Sequence, residues 1–408
     1  MKICIFTENH LKGGVDTFLI NLVNAWPESS DSLILMCNSS HPGLETISKK
    51  VRRSFTIKKY SRIYASKLAA GQDNYGLGKL FAVRALFVLS YRFFQYPVLF
   101  PWYVFSLSLK FRRSNFDRLL VVNGGYPASL LCRAAIVAWR LSGKTRLGVM
   151  NFHNSAPVAR RRYRYFEDFI DRLVVESSAY VVTVSRNCLE SLNNRPAFRG
   201  FEHFMVIHNG LEDPLIQNEP REINSIDLAG NVPYLLMLAT YEPRKGHKFL
   251  LKAFRLIHQA HPELQLQIYG FNVGDQKEKI AIEVERLGLE ATVKLNDFTS
   301  AIFDLLKNAT VLVVPSQEYE SFNLTIIEAM AFSVPIVTTD VGGMPEVLGN
   351  SGAGFSCPKD DHIEFAGAVS KILGDAALES RMRVNGRQTF EDKFMANSMA
   401  TKYRSLLV

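Results

Sequence analysis

Glu320 and Glu328 stand eight residues apart, where the apolar run Thr310-Val-Leu-Val-Val-Pro-Ser316 gives way to a helical pattern. The run predicts a short buried strand, and Ser321 predicts an N-cap with a helix over Phe322 to Phe332. The amides at such a start, those of Ser321, Phe322, Asn323 and Leu324, attract phosphate. At about 1.5 Å of rise per residue, Glu328 lies roughly 9 to 12 Å from the Glu320 end, within reach of one extended phosphorylated ligand. Side chains on a helix lean toward its N-terminus, so the Glu328 carboxylate would point back toward that ligand.

If the chemistry expels a diphosphate, the departing oxygens need fixed cations or a metal opposite them. No D-x-D sequence occurs in the chain, so no metal ligand set is assigned. After the strand-like run Tyr234 to Leu238 comes Ala239-Thr-Tyr-Glu-Pro-Arg-Lys-Gly-His247, which offers Arg244 and Lys245 just before Gly246 opens a helix. Gly13 and Gly14 follow the first strand-like run, where missing β-carbons let a diphosphate or sugar approach the backbone. The glycines do not form G-x-G-x-x-G, which argues against a dinucleotide dehydrogenase. His153 ends another strand-like run, the position at which open α/β sheets bind ligands. The sequence Ser142-Gly-Lys-Thr145 lacks the first glycine of a P-loop and has no strand before it, so it reads as a turn.

Together these segments resemble the retaining glycosyltransferases of family 4. The carboxylate pair matches the pattern E-[GS]-F-[GN]-x4-E, and Ala329 to Glu346, with its Gly342-Gly343 turn and Pro345-Glu346, continues the resemblance. More weakly, it extends from Met1 to about Asp361. The resemblance implies an α/β chain of GT-B fold: two Rossmann-like domains facing across a cleft, with a C-terminal helix crossing back to the N-terminal domain. It implies an acceptor-binding domain over 1–210 with the helix at about 391–408, and a nucleotide-sugar-binding domain over 211–390.

The same resemblance assigns roles residue by residue. Lys245 and Arg244 face the leaving phosphate, Arg244 standing in for a family arginine whose place is taken by Thr240. Glu320 binds the donor sugar beside the anomeric carbon, Glu328 the ribose diol, and His153 the sugar from the opposite side. The backbone of Lys294 and Leu295 holds the base. The implied function is retaining, metal-independent transfer of a sugar, a hexose above all, from a nucleotide-diphosphate sugar to a saccharide or lipid-linked saccharide, in polysaccharide or glycolipid assembly and without a cofactor. Two other readings stay open: an epimerase acting on nucleotide sugars, and a binding subunit without catalysis.

Composition sets the frame for these residues. With 408 residues, 47% hydrophobic and 21% charged, the chain is too long for one core and suits two. Alternating strand-like and helical stretches argue a parallel sheet in each half, with the polar stretch Leu211 to Val232 between them. Five scattered cysteines without C-x-x-C spacing suggest neither a disulfide framework nor a zinc site. They fit a reducing compartment, as does an N-terminus that turns polar too soon for a signal peptide, so a cytoplasmic location is expected.

Charge is uneven: residues 1–200 carry 29 Lys and Arg against 12 Asp and Glu, whereas 201–408 carry 19 against 27. Residues 51–113 hold twelve basic residues, one acid and several aromatic clusters. Two readings remain for that stretch, amphipathic helices of the domain core or a peripheral surface on the cytoplasmic membrane face. A spanning helix is disfavoured, because the uncharged run Phe93 to Leu109 is short and contains Pro97 and Pro101. The cluster Arg160 to Arg164 is either a solvated face or an approach for an acceptor or anionic lipid. Nucleic acid is not an expected partner, since no recognition motif accompanies the charge.

Overall fold

The computed structural model describes residues 1–9, 13–61, 90–91, 93–144, 147–216 and 232–408. Much of the proposed boundary Leu211 to Val232, and residues 62–89 and 92 of the basic-aromatic stretch, lie outside the described residues. The chain divides into two compact units, Met1–Ile207 with Ala400–Val408, and His208–Met399.

Runs of Val, Ile and Leu with no polar alternation suit strands covered on both faces, which is the situation in a parallel sheet flanked by helices. Among the described residues the first unit has seven strands, of which the edge strand β3 is the polar exception: β1 (Lys2–Thr7), β2 (Ser32–Asn38), β3 (Thr56–Tyr60), β4 (Arg118–Asn123), β5 (Gly148–Phe152), β6 (Tyr180–Thr183) and β7 (Phe204–Val206). Their order is β3-β2-β1-β4-β5-β6-β7, all parallel. The second unit has β8 (Tyr234–Leu238), β9 (Gln265–Gly270), β10 (Val293–Asp297), β11 (Val311–Val314), β12 (Ile336–Thr339) and β13 (Gly354–Cys357). Its parallel order is β10-β9-β8-β11-β12-β13. In each sheet the order reverses once, between β1 and β4 and between β8 and β11. Loops leaving two such neighbouring strands diverge to opposite faces and open a crevice at the strand ends.

The C-terminal stretch is helical in three pieces: His362–Gly374, Ala376–Lys393 and Ala396–Ser405. The sequence reading placed one return helix from about 391. The break occurs because the helix Ala376–Lys393 ends near Phe394, and Leu211 pairs with Met395 there. The last nine residues belong to the first unit. Tyr403 is buried and its hydroxyl accepts from Asn151 Nδ2 at 2.5 Å, while Arg404 Nε donates to Asp31 Oδ2 at 2.9 Å.

A second difference concerns the helix after β11. It spans Leu324–Ala331, and its N-cap is Asn323, not Ser321. Both are good capping types, but the Asn323 Oδ1 accepts from the Thr325 amide at 3.0 Å, which starts the helix two residues later than the sequence predicts.

The loop after β11 is held through its backbone to the loops after β8 and β12. Gln317 N donates to Arg244 O at 2.8 Å, and Gly343 N donates to Glu320 O at 2.7 Å. Two glycines permit this closeness. Gly246, at φ 78°, would place a β-carbon 1.8 Å from Pro315 O, and Gly342, at φ 61°, would place one 2.1 Å from Glu320 O. Gly342→Ala therefore combines a left-handed backbone with a backbone clash, and a loss on the order of 2 kcal/mol or more is expected by urea unfolding. A variant as stable as the parent would show that this contact does not hold the Glu320 loop.

Candidate active site

At the end of β8 and the end of β11, parallel pairing of Leu236 with Leu312 brings together segments some 75 residues apart in sequence. Lys245 Nζ donates to Glu320 Oε1 in a very short contact, Arg244 Nη1 donates to the same oxygen at 3.2 Å, and Ser316 Oγ does so at 3.3 Å. The side chains of Glu320 and Lys245 are only 11% and 15% exposed, so this pairing is shielded from bulk water while the site stays reachable. A carboxylate this buried needs such partners, since an unpaired charge out of water is costly. Lys245 has three donor positions and Arg244 five, so both can serve Glu320 and still offer hydrogen bonds to an incoming anion.

Arg244 is itself steered. Its Nε donates to Glu242 Oε2 at 2.6 Å, and Thr240 Oγ1 donates to Glu242 Oε1 at 3.0 Å. Burial raises the Glu242 carboxyl, but the bonds and charges of Arg244, the Thr240 hydroxyl and Lys245 outweigh it and hold the carboxyl below its ordinary range. Thr240, which departs from the family pattern, thus takes part indirectly. Ser316 and Glu242 were not among the residues singled out from sequence. Their only signal there is position, immediately after a strand end.

The helix Leu324–Ala331 begins beside this cluster, and Glu328 is one turn in, partly exposed. Ser321 and Leu324 are also partly exposed. Two residues whose amides are expected to face the donor have side chains engaged within the protein. Asn323 caps the helix, and Phe322 is buried against His208 and Phe394, with ring centroids 5.8 and 6.1 Å away.

Lys294 and Leu295 lie inside the edge strand β10, in register with Gln267 and Ile268. Beyond the ends of β9 and β10, Phe271 and Phe298 stack with centroids 4.1 Å apart and planes 9° from parallel, both nearly half exposed. This flat apolar surface at the ligand end of the sheet was not foreseen, because two phenylalanines among 28 carry no local pattern.

In the first unit, Gly13 caps the helix Gly14–Asn24, and a β-carbon on it would meet none of the described residues within 4 Å. The Gly13 amide donates to Asp16 Oδ2 at 3.1 Å. His153 follows β5 and its ring meets Phe18 edge-on at 4.3 Å. Burial pushes the His153 pKa down to about 3, so the imidazole is neutral at pH 7 and can orient a hydroxyl but not neutralise phosphate. Ser142 and Gly143 form the turn after the helix Leu130–Leu141, while Thr145 lies outside the described residues.

Comparison with known proteins places similarity in the second unit. Residues 218–389 match the family described as glycosyl transferases group 1. Over 208 residues the chain is 30% identical to a glycogen synthase of Mycobacterium tuberculosis, covering 50% of this chain and 47% of that protein. It thus spans about half the length of that relative. Over 328 residues it is 23% identical to the N-acetyl-alpha-D-glucosaminyl L-malate synthase of Bacillus anthracis, covering 78% of this chain and 81% of that one. Anabaena HepE, solved in complex with UDP, superposes with a TM-score of 0.72 at 18% identity, covering 100% of this chain and 99% of that one. The architecture is GT-B, as the sequence resemblance implies.

The neutral state of His153 has a measurable consequence. Between its folded pKa of about 3 and the ordinary value of 6.5, the unfolded chain binds the extra proton, so stability is lost as pH falls. His153→Gln removes that loss. From pH 7 to pH 5 the variant is expected to gain about 2 kcal/mol relative to the parent in urea unfolding. An unchanged difference between the two proteins across that range would show that His153 is not held neutral by burial.

Proposed function

We propose that this protein is a retaining, metal-independent glycosyltransferase. It would move a sugar, a hexose in the simplest case, from a nucleotide-diphosphate sugar to a saccharide or lipid-linked saccharide in polysaccharide or glycolipid assembly. The observation that carries the reading is the convergence of Lys245, Arg244 and Ser316 on Glu320 at the switch point of the second sheet.

In this proposal the diphosphate lies beside Lys245 and Arg244, against the start of the helix Leu324–Ala331. As the bond from the anomeric carbon to the phosphate oxygen breaks, its electron pair passes to that oxygen, and the two cations stabilise the growing charge. The acceptor hydroxyl adds to the same face, and its proton passes to the departing diphosphate. The products are a glycoside of unchanged anomeric configuration and a nucleoside diphosphate. Glu320, negative and close by, favours positive charge developing on the sugar ring. Glu328 accepts hydrogen bonds from the ribose hydroxyls, His153 orients the sugar, and the Phe271–Phe298 stack offers the base an apolar face beyond the end of β10.

The support for donor chemistry is the similarity of residues 218–389 to the group 1 glycosyl transferases and the cation-carboxylate cluster. The glycogen synthase is named for polymer formation and the malate synthase for a small acceptor, so the polymer or lipid-linked acceptor is this proposal's own choice. It is preferred because of the basic, aromatic first 200 residues.

Purified protein offered nucleotide-diphosphate sugars with oligosaccharide and lipid-linked acceptors is expected to give a product that retains the donor's anomeric configuration by NMR. Lys245→Ala should lower kcat by on the order of a hundredfold. An inverted product would exclude retention. Donor consumed to an epimer with no transfer would instead support the epimerase reading, and normal turnover by the variant would remove Lys245 from the reaction.

A further inference from the structure

The first unit presents a helical segment whose two opposite faces are both apolar. Helix Phe100–Arg112 buries Phe100, Val104, Leu107 and Phe111, the last packed edge-on against Trp139 of the helix Leu130–Leu141 at 5.4 Å. Its other face, continued from the preceding turn Gln95–Leu99, shows Val98, Trp102, Phe105 and Leu109. Their spacing of four, three and four places them in one stripe. Trp102 is 52% exposed and Phe105 56%. A helix that is apolar all round is ordinarily enclosed, and here half of it faces outward.

The segment carrying the stripe is tied to a second helix whose start is rich in arginine. Tyr96 donates to the buried Glu167 at 3.0 Å and its ring lies 6.0 Å from that of Phe166, tying the segment to the start of helix Arg164–Ser177. Glu167 is in turn held by Arg195 at 2.6 Å. That helix start adds the exposed Tyr165, Phe166 and Phe169, and directly before and within it stand the exposed Arg160, Arg161, Arg162 and Arg164. Lys110, Arg112 and Arg113, also exposed, end the first helix. The acids at the start of helix Arg164–Ser177 are paired: Glu167 is buried with Arg195, and Asp168 lies 3.6 Å from Arg164. No helix among the described residues is long and apolar enough to cross a membrane.

We propose that this face docks on a lipid bilayer bearing anionic headgroups, with Trp102 and Phe105 seated at the level of the upper acyl chains and the arginines on headgroup phosphates. A bilayer surface offers apolar and anionic partners at adjacent depths, which is what an aromatic stripe with a cationic border requires. A second copy of the chain suits it less well, because a symmetric pairing of this face would bring the arginine clusters together. The docking is independent of the transfer reaction.

Flotation of the full chain with phosphatidylcholine vesicles containing phosphatidylglycerol, and with phosphatidylcholine vesicles alone, tests this. The protein is expected to float with the first and much less with the second, and to be released by salt. Trp102→Ser with Phe105→Ser should reduce the bound fraction at least about tenfold, as should joint replacement of Arg160, Arg161 and Arg162 by alanine. Since all these side chains are exposed, unchanged thermal unfolding should accompany the loss. The proposal is overturned if the protein does not float, if the variants float equally, or if it binds both vesicle types alike. A concentration-dependent dimer that Trp102→Ser abolishes would also overturn it, in favour of pairing between copies.

Discussion

A buried carboxylate must be matched by positive charge, and in this protein that requirement organises the candidate site. Glu320 has little access to water, so Lys245, Arg244 and the Ser316 hydroxyl take the place of water around one of its oxygens. Their donors are numerous enough to serve a second anion as well. The arrangement is therefore set before any ligand arrives, and little reorganisation would accompany the departure of a phosphate.

That match is possible because the sheet brings distant segments into register. The adjacency of β8 and β11 decides where two loops emerge, and the reversal of strand order between them decides that the loops part and leave room. Gly246 and Gly342 then let the loop after β11 approach the backbones of the loops after β8 and β12, on either side of Glu320. The first unit repeats the arrangement on its own sheet, with Gly13 after β1 and the neutral His153 after β5. Thr240 and Arg244 both donate to Glu242, so the cation is steered by neighbours, one of which stands where the resembled family has an arginine.

Much of this was legible in the sequence because local pattern and tertiary role coincide. Strands such as Val311–Val314 are apolar throughout since both faces are covered, and the carboxylate pair follows one of them at a fixed offset. The helix start was read two residues early, since Ser321 and Asn323 are equivalent as capping types and only the path of the Pro315 to Asn323 loop separates them. Phe322 appeared in the donor site by adjacency, whereas its contact with Phe394 depends on a segment 72 residues away. Glu242 and Ser316 have no motif of their own, and their parts depend on which strand lies next to which. The stretch around Trp102 left two readings open, because one helix can carry a core stripe and an outward stripe at once, and periodicity alone does not say which is covered.

The most direct measurement compares calorimetric affinities of nucleoside mono- and diphosphates for the parent protein and for Lys245→Ala, using the base that binds best. If a diphosphate rests against Lys245 and Arg244, the parent should prefer diphosphate over monophosphate by about tenfold or more, and Lys245→Ala should erase most of that preference while leaving monophosphate binding nearly unchanged. A diphosphate preference of the same size in the variant would contradict the account, because the cation beside Glu320 would then have no part in holding the phosphate.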